Sequence, residues 1–475
     1  MNKEKLYSII EKHSSLLTDL SDRIWEYAEL SMQEHCSANA YVQILRQQGF
    51  EVTTPLAGIK TAFSGSFGSG KPVIGILGEY DALSGLSQKP CSTEKEPADG
   101  NGNGHGCGHN LLGAASLGAA IAIKEAIAAG EIAGTVVFYG CPGEEGCAGK
   151  TFMAREGMFQ DLDAALCWHP GDLNAVTTGS CAACIQIEYR FQGISAHAAG
   201  DPENGRSALD AAELMNIGVQ FLREHISKTA SIHYCFSNTG GLSPNVVQSE
   251  AAVIYMIRER NVALAQNLVK RVNAIAQGAA QMTETAVTMQ QIDGTSNTLS
   301  NTVMENLIYQ NLQAAPLPEY SEKEISYASV LKSTFSAQQL PWEGLVFEPN
   351  TLAQLSQKTQ GGTKPMNNFV LPYYPNFTYN PGSTDVGDVS WLTPTAQFTA
   401  ATWVSGSPGH SWQNVSIGKS SIAHKGMLYA AKVLAGTAAD LMLQPDILKE
   451  VRKEFSIASA AGYLCPLDET VQIPQ

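Results

Sequence analysis

Positive charge is scarce in this chain: 30 lysines and arginines against 45 aspartates and glutamates leave a net charge of −15. That balance disfavours nucleic acid and anionic membrane surfaces as partners. Charged residues of either sign make up only 16% of the chain, while the apolar share of 44% is ordinary for a globular protein. No tract has the composition of a disordered segment. Long apolar runs are missing too. The longest, Leu111 to Ile123, is mostly alanine and glycine and too short to span a bilayer. The opening "MNKEKLYSIIEKHSSLL" is polar and amphipathic, without the apolar core of a secretion signal. Ten cysteines are scattered without disulfide-scaffold spacing, which points to reduced thiols and a cytoplasmic protein. Internal repeats and low-complexity tracts are absent, so repeat architectures are excluded.

What is present is a long chain of mixed rhythm. At 475 residues it exceeds what one ordinary core holds, so two or three domains are expected. "VIGILGEY" (Val73 to Tyr80), "TVVFYGC" (Thr135 to Cys141) and "DAALCWH" (Asp163 to His169) read as strands, with an alanine-rich helix from Leu111 to about Ala129 after the first. Strands alternating with helices predict an α/β domain: a mainly parallel sheet with helices on both faces. From about Cys181 the rhythm becomes βαββαβ, a ferredoxin-like unit of roughly a hundred residues. "AQFTAATW" later resumes the α/β character. The expected organisation is a discontinuous catalytic domain, residues 1–181 and 297–475, carrying an inserted lid or dimerisation domain, residues 182–296. "TKPMNNFVLPYYPNFTYNPGSTDVGDVSW" reads as an ordered loop over a site.

Ligands of parallel sheets bind at the carboxyl ends of the strands, and metal-type side chains gather there. Glu79 and Asp81 follow the first strand, and the glycine-rich "NGHGCGHN" then brings His105, Cys107 and His109. "PGEEG" after the second strand brings Glu144 and Glu145, the third ends in His169, and "SPGHSWQ" adds His410. Thiolate, imidazole and carboxylate together suit zinc and related divalent ions. So many ligands suit two ions roughly 3.5–4 Å apart, which can activate a water and polarise a carbonyl. Adjacent glutamates on extended backbone point in different directions, so one can ligate while the other moves a proton.

"GCGHN", "PGEEGCAGK", "CWHP", "FQGISAHAAGDPENGRSAL" and "GGLSPNVV" together resemble the M20 metallopeptidase and amidohydrolase family, in its aminoacylase-like branch. The resemblance runs over nearly the whole chain. It implies a binuclear metal-dependent amidohydrolase holding two divalent ions, zinc or manganese, through Cys107 as the bridging thiolate, His109, Glu145, His169 and His410. It makes Glu144 the general base. His197 and Asn245, in the inserted domain, would stabilise the oxyanion in a second protomer's site. Arg258 falls near where relatives hold a substrate carboxylate. Much of the wider family has His-x-Asp where this chain has Glu79-Tyr80-Asp81. In this branch the Cys-Gly-His loop supplies the ligand, so Glu79 is left out and Asp81 orients a ligand. His105 is read as structural. Asp385 and Asp388 could support His410 or the substrate, with a plain turn role at least as good a reading.

The implied substrate is an N-acyl glutamate of the aminobenzoyl type. Alternatives are a general N-acyl-amino-acid amidase or dipeptidase, or a non-catalytic subunit of a two-subunit hydrolase. The partners expected are a small N-acyl amino acid and either a second copy or a related subunit. "GSFGSGKP" (Gly65 to Pro72) has phosphate-loop spacing, but proline replaces the Ser/Thr and a strand follows. It reads as a hairpin turn. Cys181 and Cys184 lack a second pair for a zinc ribbon, and His225 and His424 read as surface or packing residues.

Overall fold

A computed structural model describes residues 2–98, 100–335, 349–376 and 378–474, with the side chains of 349–351 left out. Helices α1 (Lys3–Lys12), α2 (Ser14–Tyr27) and α3 (His35–Gln47) open the chain. Five strands of the main sheet follow: β1 (Glu51–Thr53), β2 (Phe63–Ser69), β3 (Val73–Glu79), β4 (Gly134–Cys141) and β5 (Ala164–Gly171). The two-residue strands β6 (Ala175–Val176) and β7 (Ser180–Cys181) come next. The inserted unit contributes β8 (Ala183–Gln192), β9 (Ser231–Asn238), β10 (Glu250–Glu259) and β11 (Ala286–Thr295). Strands β12 (Tyr379–Asn380) and β13 (Thr395–Ala401) complete the set.

The main sheet has the order β1-β2-β4-β3-β5-β13-β6, with β4, β3, β5 and β13 mutually parallel and antiparallel strands at both edges. "GSFGSGKP" is not a hairpin: β2 and β3 both pair with β4, one on each side of it. The turn carries the chain across the top of a strand not yet made, which local turn chemistry does not reveal.

Helix α4 (His109–Ala128) shows why this region packs so tightly. It is apolar all round, and Leu111, Leu112, Leu117, Ile121 and Ile123 are all fully buried. It lies on β3 with helix Ser421–Leu443 and the N-terminal helices against it. Gly113 lets it approach: a Cβ there would stand 2.7 Å from the Glu79 carbonyl oxygen. α4 and Ser421–Leu443 are long and apolar enough to cross a membrane, yet 78% and 83% of their apolar windows are buried inside the protein. They are core helices. The opposite sheet face is covered by α5 (Gly149–Arg155), helix Val386–Leu392 and residues Leu467 and Val471.

The second sheet runs β11-β8-β10-β9, fully antiparallel, with α6 (Ala208–Leu222) and α7 (Val262–Met282) packed on one face around a separate apolar core. Numbered within the unit, that order is 4-1-3-2, the ferredoxin-like arrangement. The chain enters and leaves it side by side, Cys184 pairing with Thr295. Residues 463–471 form a third attachment. Gln291 of β11 donates to the Pro466 carbonyl (2.8 Å) and accepts from Asp468 N–H (2.9 Å), while Arg155 holds the Val471 carbonyl (2.9 Å).

Candidate metal centre

The register of the central strands brings the chemistry together. Glu79 pairs level with Cys141 on β4, and Ile76 with Leu166 on β5, so Glu79 and His169 stand at the same height near the ends of their strands. Beyond β4, Gly143 turns the backbone at φ +71° and presents Glu144 and Glu145. The Cys107 loop reaches the same edge through Gly108, which starts α4 at φ +74°. A Cβ there would lie 2.9 Å from Pro170 Cβ, so glycine is required where Cys107 and His109 must flank a turn pressed against β5. His410 sits at φ +51°, a strained conformation for a side chain of its size.

Three groups of ligand atoms result, each with its atoms within 4.8 Å of one another: Cys107 with His109 and His169; Cys107 with Glu145 and His410; and Glu79 with His109 and Glu144. Cys107 belongs to two of them. Its sulfur stands 3.3 Å from His169 Nε2, and His410 Nε2 stands 3.5 Å from Glu145 Oε2. Two ligands each about 2.0–2.3 Å from one ion lie roughly 3.0–3.6 Å apart, so these are ligand-to-ligand spacings. Buried His109 Nε2 and Glu145 Oε1 have no hydrogen-bond partner. The residues present therefore fit divalent ions.

Both imidazoles are held in the orientation a ligand needs. His109 Nδ1 donates to Asp81 Oδ1 (2.9 Å) and His169 Nδ1 to the Pro170 carbonyl (2.7 Å), which turns each Nε2 into the cluster. Burial, with the charge of His109, pushes His169 down to about 4 and keeps it neutral. Burial alone would raise the Asp81 carboxyl, but hydrogen bonds from His109, Glu145 N–H and Ser31 outweigh it and hold it at about 2. Burial drives the Cys107 thiol far up, so loading an ion must expel its proton. Burial, reinforced by Glu79 and Asp385, raises Glu144 well above the carboxylate range.

Other residues fall elsewhere. His105 is buried but turned away, its Nε2 on the Ile24 carbonyl (3.0 Å). His197 and Asn245 are exposed on neighbouring loop segments of the inserted unit, bridged through His197 and Val246. His197 Nδ1 accepts from Ala199 and Gly200 N–H, contacts within its own loop. Arg258, half-buried at the end of β10, donates to Ser383 (3.2 Å). Asp385 and Asp388 neither support His410 nor serve a plain turn. Asp388 accepts from Thr151, Ser296 and Tyr463, and Asp385 from Lys150.

Glu79 and Lys150 are the residues that sequence reasoning passed over. Lys150 is fully buried, 2.6 Å from both Glu79 Oε1 and Asp385 Oδ1. Burial opposes its charge, but the two carboxylates raise it well above the usual lysine range. The one available signal was a lysine at the start of a helix otherwise apolar on its inner face, too weak to separate from a solvated side chain.

Comparison with known proteins follows the same lines. The sequence profile of peptidase family M20/M25/M40 matches residues 75–327. The chain is 43% identical over 472 residues to one of the two subunits of the p-aminobenzoyl-glutamate hydrolase of Escherichia coli, covering 97% of this chain and 96% of that protein. It is 27% identical to the Xaa-Arg dipeptidase of Mus musculus, over 95% of this chain and 92% of that one. Among solved structures, a dinuclear metal-binding peptidase of the M20 family from Bacillus subtilis shares the fold, with a TM-score of 0.55 at 17% identity over 91% of this chain and 99% of that one. By its family profile and by a relative matched almost end to end, this chain belongs to peptidase family M20/M25/M40, the metal-dependent amide hydrolases.

Proposed function

We propose that this protein hydrolyses the amide bond of an aminobenzoyl-type N-acyl glutamate, using two divalent ions, zinc or manganese. The observation that carries the reading is the double membership of Cys107: one thiolate shared between a His109/His169 group and a Glu145/His410 group. The substrate follows the 43% identical Escherichia coli relative, and the ion count agrees with the dinuclear Bacillus subtilis peptidase. When bound, the ion pair supplies an acidified water and polarises the scissile carbonyl.

The protein's own groups do the rest. Glu144, as the carboxylate once the ions are bound, would take the proton of the attacking water, and the burial that strengthens its hold on a proton suits it to return that proton to the leaving amine. Asp81 and the Pro170 carbonyl fix the His109 and His169 rings. His197 and Asn245 of a second protomer would donate to the tetrahedral oxyanion, and Arg258 would receive a substrate carboxylate. That second protomer is another copy or a related chain. The other of the two Escherichia coli hydrolase subunits is itself similar, 26% identical over 54% of this chain and 61% of that protein. Ten free thiols favour a reducing, cytoplasmic setting.

The test is glutamate release from p-aminobenzoyl-glutamate by the purified chain, with zinc or manganese and with chelator. Metal-dependent release by the chain alone supports the reading and rules out a merely non-catalytic role in a two-subunit hydrolase. The match to Xaa-Arg dipeptidase favours a dipeptidase as the second reading, and release from Xaa-Arg dipeptides but not from N-acyl glutamates would install it.

A further inference from the structure

The backbone on each side of Glu144 is pinned by a carboxyl group from a distant segment. The amide before it, Gly143 N–H, donates to Glu34 Oε1 (2.8 Å), and the amide after it, Glu145 N–H, donates to Asp81 Oδ2 (2.9 Å). Glu34 is fully buried and stands at the N-cap position of α3, yet it does not cap that helix. Glu29 does so, accepting from Cys36 N–H and Ser37 N–H (2.9 Å each). The Glu34 carboxyl is thereby free to turn inward. Its Oε1 also accepts from Met32 N–H (2.9 Å), while its Oε2 is buried without a hydrogen-bond partner. Burying a carboxyl in that way is unfavourable, and starting a helix does not call for it. The same loop grips the turn at two further points. A Cβ at Gly143 would meet the Met32 methyl at 3.0 Å, and Ser31 donates to Asp81 Oδ2 (2.8 Å).

We propose that Glu34 is the positioning residue of the general base. By holding Gly143 N–H it fixes, together with Asp81, the backbone on either side of Glu144, and so the direction from which that side chain meets the attacking water. Held at one amide alone, Glu144 could swing about the other. A displacement of about 1 Å in a reacting group costs on the order of 10²-fold in rate. The amide of Glu145 stays on Asp81 when Glu34 is removed, so the base moves and the ligand beside it keeps its place. This inference rests on the reading of Glu144 as the base.

Three variants of the full chain test it. Glu34→Leu removes the acceptor at similar volume, and Glu34→Asp withdraws the oxygen but keeps the charge, serving should the leucine variant not fold. Glu34→Gln keeps an acceptor oxygen and removes the charge. On p-aminobenzoyl-glutamate, the leucine and aspartate variants are expected to lower kcat about 10–100-fold, with KM and the ion count by elemental analysis unchanged. Glu34→Gln is expected to stay within about threefold of wild type. In the chelator-stripped chain, amide exchange in residues 142–146 should speed up in Glu34→Leu and not in Glu34→Gln. In a Glu144→Gln background, Glu34→Leu should cost no further rate, because the group it positions is already gone. Wild-type kcat and exchange in a folded leucine or aspartate variant would overturn the positioning role. So would an equal loss in Glu34→Gln, an undiminished loss in the Glu144→Gln background, or loss of ions in step with kcat. A wild type without turnover, or Glu144→Gln at the wild-type rate, would overturn the reading above and this inference with it.

Discussion

His105 and His169 show one physical effect in two settings. Burial pushes both imidazoles down to about 4, but His169 faces the cluster and His105 a backbone carbonyl. For His105 the consequence is a stability slope. Its folded pKa lies below the unfolded value of 6.5, so the unfolded chain takes up the proton first as pH falls. Its contribution is complete above pH 6.5 and is lost towards pH 4, at about 1.4 kcal/mol per pH unit. Glu34, raised to about 8 by burial and by Asp81, gives an opposite slope between pH 4.5 and 8. Comparing wild type with His105→Asn removes that background. Urea unfolding of the metal-free chains at pH 7 and pH 5.5 should show the gap between them narrowing as pH falls; a constant gap would count against a neutral buried His105. At the surface, His197→Ala is expected to lower kcat about 10²–10³-fold with metal content intact, measured by turnover and elemental analysis side by side. Loss of metal would return His197 to the cluster. The cluster's main donors were legible because cysteine, histidine and paired glutamates in glycine-rich stretches have few other uses. Glu79 and Lys150 were not, because a buried ion pair is a property of two distant segments and neither segment announces it.

Elements explain which parts of the fold could be read. The central strands and α4 are bounded by composition: short apolar runs end in charged or glycine-rich turns, and α4 has no polar face to confuse the reading. The connection at Gly65–Pro72 misled because turn residues specify a reversal but not which strand will fill the gap. The junction at Gly108 offers a direct test of how an element sets up the site. Gly108→Ala meets both a left-handed backbone and Pro170, whereas Gly70→Ala meets the same φ of +74° with nothing within 4 Å. Strain alone is expected to cost about 1–2 kcal/mol in each. Gly108→Ala is expected to cost more and to lower metal affinity as Cys107 and His109 separate, while Gly70→Ala leaves affinity unchanged. Urea midpoints and metal titration of the two variants distinguish these effects, and equal costs with equal affinities would show that the approach to Pro170 has no consequence.

At the scale of the whole molecule, the separate apolar core of the inserted unit was legible from the change of strand rhythm near Cys181. The third attachment through residues 463–471 was not, since it depends on Gln291 meeting backbone groups more than 170 positions away. Gln291→Ala removes both hydrogen bonds. It is expected to speed amide exchange in residues 463–471 and in the paired strands at Cys184 and Thr295, with metal content unchanged. Unaltered exchange in both regions would show that the attachment carries no load. Mechanically, the crossing at Cys184 and Thr295 is a neck only two strands wide, which resists stretching but offers little against bending or torsion. Gln291 lies four residues along β11 from that neck, a lever arm of about 13 Å. A brace at that radius turns a small restoring force into a torque, so it adds to the angle of the inserted unit a restraint that the Arg258–Ser383 and Tyr379–Thr229 hydrogen bonds beside the neck supply only at short radius.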